Sequence, residues 1–174
     1  MKYPIAFLLL MSATGAWAHP GHGGAGFGAG LLHPLLGLDH WLGMLGLGLW
    51  SRAAGVARPA LATVGAGLAL GAFAPFALPL VEPMLAASVL AAGLMGLGVA
   101  RLPARLGLVL ACAFSLVHGN AHGQEMAGAA AAAGAICMSG GLMGLGWLAG
   151  SHAGLGKAGP ALVALLGAGL LAVG

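Results

Sequence analysis

Six apolar stretches follow one another from residue 31 to the end of the chain, at about 31–50, 59–80, 84–100, 104–121, 126–149 and 158–174. The short segments between them hold most of the charge. Each stretch is near the roughly 20 residues a helix needs to cross hydrocarbon, where every backbone polar group has to be satisfied within the segment. The pattern predicts an all-α fold, a polytopic membrane protein built as a bundle of six transmembrane helices. Ahead of them lies a shorter apolar run, Ile5 to Met11, with Lys2 before it and Ala16-Trp17-Ala18 after it. That arrangement is the cationic start, apolar middle and A-x-A end of a cleavable signal peptide, and it places cleavage after Ala18. An uncleaved first span is the alternative. Residues 1–18 are thus read as the leader, 19–30 (HPGHGGAGFGAG) as a glycine- and histidine-rich arm, and 31–174 as the six-helix transmembrane domain.

Composition agrees with the pattern. Charged residues are 5% of the chain, where soluble domains run near 25%, and apolar residues are 60%. The sequence pI near 9.4 comes from scattered Lys and Arg rather than a basic stripe, which sets nucleic acid aside as a partner. Past the leader, Arg52 and Arg58 follow the first stretch, Arg101 and Arg105 the third, and Lys157 the fifth. All five fall on one side of the predicted bundle. The positive-inside rule makes that side cytoplasmic, so the mature N-terminus and its arm are periplasmic, the orientation that a cleaved leader also dictates. The expected location is the bacterial inner membrane, with the lipid bilayer as the first partner.

Glycine supplies 34 residues, and spacings such as Gly67/Gly71, Gly140/Gly144 and Gly146/Gly150 predict close helix packing, which in lipid relies on small residues at the contact. GLMGLG at 93–98 and again at 141–146 raises the question of a duplicated three-helix unit. Cys112 and Cys137 form no CxxC and read as packing residues.

Against this apolar background two polar clusters stand out. HPLLGLDH, residues 33–40, carries two histidines and the chain's single aspartate; VHGNAHGQE, residues 117–125, carries two more histidines and Glu125. Read as one helix, His33 and His40 are seven apart and share a face, with Met44 one turn deeper as a packing residue or a soft secondary contact, and Pro34 in the first turn. Asp39 points elsewhere and is read as an orienter of a histidine or as a ligand toward another helix. In a continuous helix His118, His122 and Glu125 share a face; in a broken one, Gly119 and Gly123 turn the chain. Both clusters fall on the periplasmic side of the topology set by Lys and Arg alone. Ionisable groups within a membrane cost at least about 2.5–3.5 kcal/mol each at a helix centre, so polar cross-links between helices explain such a gathering less well than a joint site does.

Imidazoles and carboxylates without thiolates suit Ni, Co, Cu(II) or Zn. The expected metal site comprises His33, Asp39, His40, His118, His122 and Glu125, with His19 and His22 of the arm as first captors. A disordered linker is the bland reading of that arm. His152, near Lys157, reads as a loop histidine.

The two clusters resemble the signatures of the HupE/UreJ family: HPLLGLDH looks like HPxxGxDH, and VHGNAHGQE looks like an HG-x-A-x-G-x-E stretch. The likeness covers leader, N-terminal histidines and six spans, and departs at Val117, where the family often has an aromatic residue. It implies a small bacterial permease supplying nickel, or sometimes cobalt, to hydrogenase or urease, with metallochaperones or maturation proteins as partners. It points to His33, Asp39, His40, His118 and Glu125. No GxxxxGK[ST] occurs, so nucleotide-driven pumping by this chain has no support. The reading is therefore a non-enzymatic metal permease. Its rivals are an intramembrane zinc hydrolase, for which HGNAH lacks the glutamate of HExxH, and a metal-binding accessory protein without transport.

Overall fold

The computed structural model describes residues 25–98 and 102–174, and all regular structure among them is helical. The elements are α1 (Phe27–Leu32), a 3-10 turn (His33–Leu35), α2 (Leu38–Ala53), α3 (Ala57–Ala72), α4 (Val81–Gly96), α5 (Ala104–Glu125), α6 (Ala129–Ala149) and α7 (Ala153–Val173). The leader, His19, His22 and Arg101 lie outside the described residues.

Three helices, α5, α6 and α7, are long and apolar enough to cross a membrane. The other three predicted spans have helices of sixteen residues, about 24 Å at 1.5 Å per residue. They are shorter than their apolar stretches for visible reasons. The end of the second stretch, FAPFALPL (73–80), contains two prolines and runs as an irregular loop to Leu80, whose φ is +56°. The first stretch is broken at Gly37, which is extended (φ −96°, ψ 120°). α1 also begins inside the stretch read as the arm. Although glycine is a weak helix former, this short helix is held by packing: Gly30 sits against the Ala131 backbone, and Gly134 of α6 against Phe27.

α2 is the hub. Ten of its sixteen residues are buried, as befits a helix apolar on all sides, and it packs against α4, α6 and α7. Met44, Leu47 and Trp50 on α2 meet Val64 and Leu68 of α3 and Met143 of α6 in the main core. Met44 is therefore a core residue. Around this hub α3 pairs with α5, and α4 with α7.

Glycine makes these seams. Gly67 and Gly71 of α3 lie against Cys112 and Leu116 of α5, while Gly119 and Gly123 of α5 lie against Leu68 and Ala72 of α3. Backbone touches backbone, so the two helices run side by side in the same direction. Gly146 meets Leu45, and Gly150 meets Arg52, as expected of small residues at a contact. Gly140 and Gly144 do not act this way: a side chain at 144 would meet nothing within 4 Å. The GLMGLG echo falls on α4 and α6, which are not equivalent positions of a three-helix unit, and it therefore marks no duplication. Cys137 is exposed and Cys112 half-buried, so only the latter packs inside.

The outward faces are apolar. Leu61, Leu70, Leu106, Val109, Leu148, Leu162 and Leu165 are among the exposed residues. A soluble monomer rarely shows so much contiguous apolar surface, whereas a lipid-facing one has to. At the end of the bundle where α2 finishes and α5 begins lie the described cations Arg52, Arg58, Arg105 and Lys157. Arg52 stacks on the Trp147 ring at 4.6 Å. The opposite end holds the polar clusters.

Candidate metal site

The two clusters arrive by different local routes. Pro34 sits in the first turn of the 3-10 helix, where its missing N–H costs nothing, and the chain then extends through Gly37 before α2 begins. His33 and His40 thus do not share one helical face, contrary to the seven-residue spacing. The break brings them together instead, with ring centroids 6.2 Å apart and nearly perpendicular. Gly37 is needed there: a Cβ would fall 2.7 Å from His40 Nδ1 and 2.9 Å from Asp39 Oδ1. Asp39, in the first turn of α2, is favourably placed for the helix dipole.

α5 by contrast is continuous to Glu125. His118, His122 and Glu125 therefore follow one another along one face at spacings of four and three. Gly119 and Gly123 do not break the helix; they press it onto α3, on the side away from the imidazoles. Between them Asn120 fastens the neighbouring loop, accepting from Leu78 N at 2.8 Å and donating to Phe76 O at 2.8 Å.

Four imidazoles from the two segments form a ladder. Centroid distances run 5.1 Å from His33 to His122, 4.6 Å from His122 to His40, and 5.0 Å from His40 to His118. The first rung is partly open, with the His33 and Glu125 side chains 20% and 25% exposed. His33 Nε2 donates to Glu125 Oε2 at 2.6 Å. One ligand-type atom from each of His33, His122 and Glu125 lies within 4.8 Å of the others.

Deeper in, the polar atoms lack partners. Both ring nitrogens of His40 and of His122, and Nδ1 of His118, are buried without a hydrogen bond. Asp39 Oδ1 comes within 3.1 Å of His40 Nδ1, but the contact lacks hydrogen-bond alignment. Asp39 therefore abuts the histidine next to it in sequence. The other His118 nitrogen, Nε2, lies 2.8 Å from Ser88 Oγ of α4. Buried polar groups are overwhelmingly hydrogen-bonded, and a neutral imidazole carries one N–H and one lone pair, so these three rings offer one lone pair each to an electron-pair acceptor. Imidazole lone pairs beside carboxylates are the donor set of a divalent transition metal.

The structure thus brings together His33, Asp39, His40, His118, His122 and Glu125. His152 stands apart at the start of α7. Sequence reasoning passed over Ser88 and gave Asn120 no role. The only signal for Ser88 is a lone hydroxyl in the otherwise apolar run LAASVLAAG.

Comparison with known proteins adds two findings. The family described as HupE / UreJ protein matches residues 6–174. Protein HupE of Rhizobium leguminosarum bv. viciae is 34% identical over 116 residues, 64% of this chain and 61% of that protein. The matched segment thus spans about three fifths of the relative's length. No solved structure matches.

Proposed function

The chain belongs to the HupE/UreJ family, and from that premise we propose that it is a permease for a divalent transition metal, nickel or cobalt, of the bacterial inner membrane. In this reading α2 to α7 are the six spans. The histidine ladder opens to the periplasm and the basic end faces the cytoplasm, as the positive-inside rule requires. His19 and His22 of the arm collect the ion; His33 and Glu125 receive it at the mouth; the buried His122, His40 and His118 take it inward, with Asp39 contributing charge. The leader is removed after Ala18. Metallochaperones or hydrogenase and urease maturation proteins accept the ion inside.

The observation that carries the reading is the set of buried ring nitrogens without partners, gathered from two segments some eighty residues apart in sequence. Helix cross-linking alone would pair those nitrogens with one another or with hydroxyls. Conduction asks for a site firm enough to desolvate the ion and loose enough to release it. A row of imidazoles in contact meets that demand better than a closed cage, since the ion can exchange one ring for the next. The membrane potential supplies the drive: a divalent cation moving inward gains about 4.6 kcal/mol per 100 mV, enough for roughly thousandfold accumulation.

The test is uptake into liposomes containing the purified chain, with an inside-negative potential. Nickel or cobalt should accumulate with this chain alone and fail to do so without the potential. A chain that binds nickel but gives no flux would be an accessory protein, and the permease reading would fall.

A further inference from the structure

Buried serines in this bundle usually satisfy themselves locally. Ser51 donates to Gly48 O at 2.9 Å and Ser115 to Ala111 O at 2.6 Å, each one turn back along its own helix. Ser88 does the same, donating to Leu85 O at 2.7 Å, but its oxygen also lies 2.8 Å from His118 Nε2. A hydroxyl has one proton, and a carbonyl can only accept. The short contact to Leu85 therefore uses the serine proton, and the contact to His118 needs a proton from the ring. Nε2 carries it. A neutral imidazole with Nε2 protonated keeps its lone pair on Nδ1, the nitrogen that is buried without a partner.

We propose that Ser88 is a positioning residue that holds His118 in the Nε2–H tautomer and so makes Nδ1 the metal-binding atom of that ring. The inference rests on the transport-site reading above and adds an assignment that neither polar cluster contains, because Ser88 lies on α4. The ring is held from a second side as well. A Cβ at Gly43 of α2 would fall 3.3 Å from both Cε1 and Nε2 of His118, so the imidazole lies flush against that helix. Two helices thus fix the ring, one through a hydrogen bond and one through contact. Hydroxyl and carbonyl partners of this kind set the orientation and basicity of ligating histidines, and their loss commonly lowers metal affinity about 10- to 100-fold.

The test uses the full chain in nanodiscs with 15N-labelled histidine and zinc, a diamagnetic probe, as the ion. In the metal-free wild type at pH 8, long-range 1H–15N correlation should show His118 with Nε2 protonated and Nδ1 bare; zinc should shift Nδ1 and leave the Nε2 proton in place. Ser88→Ala should yield a mixture of tautomers and about 10- to 100-fold weaker zinc binding, while Ser88→Thr, which keeps the hydroxyl, should restore both. A wild-type spectrum with Nδ1 protonated would overturn the inference and leave the transport reading standing. So would a Ser88→Ala protein whose tautomer is unchanged. If Nδ1 is bare but zinc moves none of the ladder histidines, both fall.

Discussion

The mouth of the ladder and its interior solve opposite problems with the same residue type. At the mouth, His33 and Glu125 are partly exposed and hydrogen-bond each other at 2.6 Å, so the pair is satisfied before any ion arrives. In the interior, His40, His118 and His122 are buried, and five of their six ring nitrogens have no partner. The mouth can rest in water, and an ion entering it has to compete with an existing bond. An ion entering the interior would meet fewer existing bonds, chiefly the 3.1 Å contact between Asp39 and His40. Under the proposed permease reading, the difference separates admission from desolvation along three ring-to-ring steps.

The largest effect is expected from His122→Ala, because this ring lies against both His33 and His40. Uptake should fall more than about 100-fold, since the lost ligand leaves a gap between mouth and interior. His33→Ala should be milder in initial rate than His122→Ala; equal losses would mean that mouth and interior do not differ. Glu125→Gln keeps the shape of the mouth and removes its charge. Nickel uptake is expected to drop about 10- to 100-fold, mainly through weaker apparent affinity at low metal concentration. Acid should act in the same direction, because a metal has to displace protons from imidazoles. An ordinary imidazole titrates near about 6.5, so lowering the outer pH from 7.5 to 5.5 should weaken binding about tenfold for each ring that must deprotonate. Flat affinity across that range, measured by calorimetry, would show that no ligating ring exchanges a proton between those two pH values. The smallest effect on uptake is expected from Asn120→Ala. It leaves Leu78 N and Phe76 O without their partner, at a cost of about 1–3 kcal/mol to stability, seen as a lower thermal midpoint with flux per folded molecule little changed.

Much of this arrangement can be read from the chain. Hydropathy locates six apolar segments, and the Lys/Arg pattern places both polar clusters at one end of the bundle. What sequence periodicity misreads is glycine. Gly37, Gly119 and Gly123 look alike on the page, yet Gly37 opens the chain and makes room for two side chains, while Gly119 and Gly123 keep a helix whole and let it touch another. A missing Cβ serves both ends, and only the neighbour decides which. The helical face assigned to His33 and His40 fails for the same reason: the heptad count assumes that Gly37 stays helical. α1 escapes notice because its formation depends on α6, more than a hundred residues away. Ser88 escapes because a single hydroxyl carries no spacing. Its meaning comes from the imidazole opposite, on a helix that no local pattern links to it.

The α3–α5 seam also determines where this protein can be re-engineered. Four positions there, Gly67, Gly71, Gly119 and Gly123, admit an alphabet of one letter, since even alanine would intrude on the facing main chain. Under the proposed permease reading, libraries aimed at a new ion preference are better spent on the walls that α2 and α4 present to the imidazoles, where Gly43 and Ser88 meet a side chain, the His118 ring, rather than facing main chain.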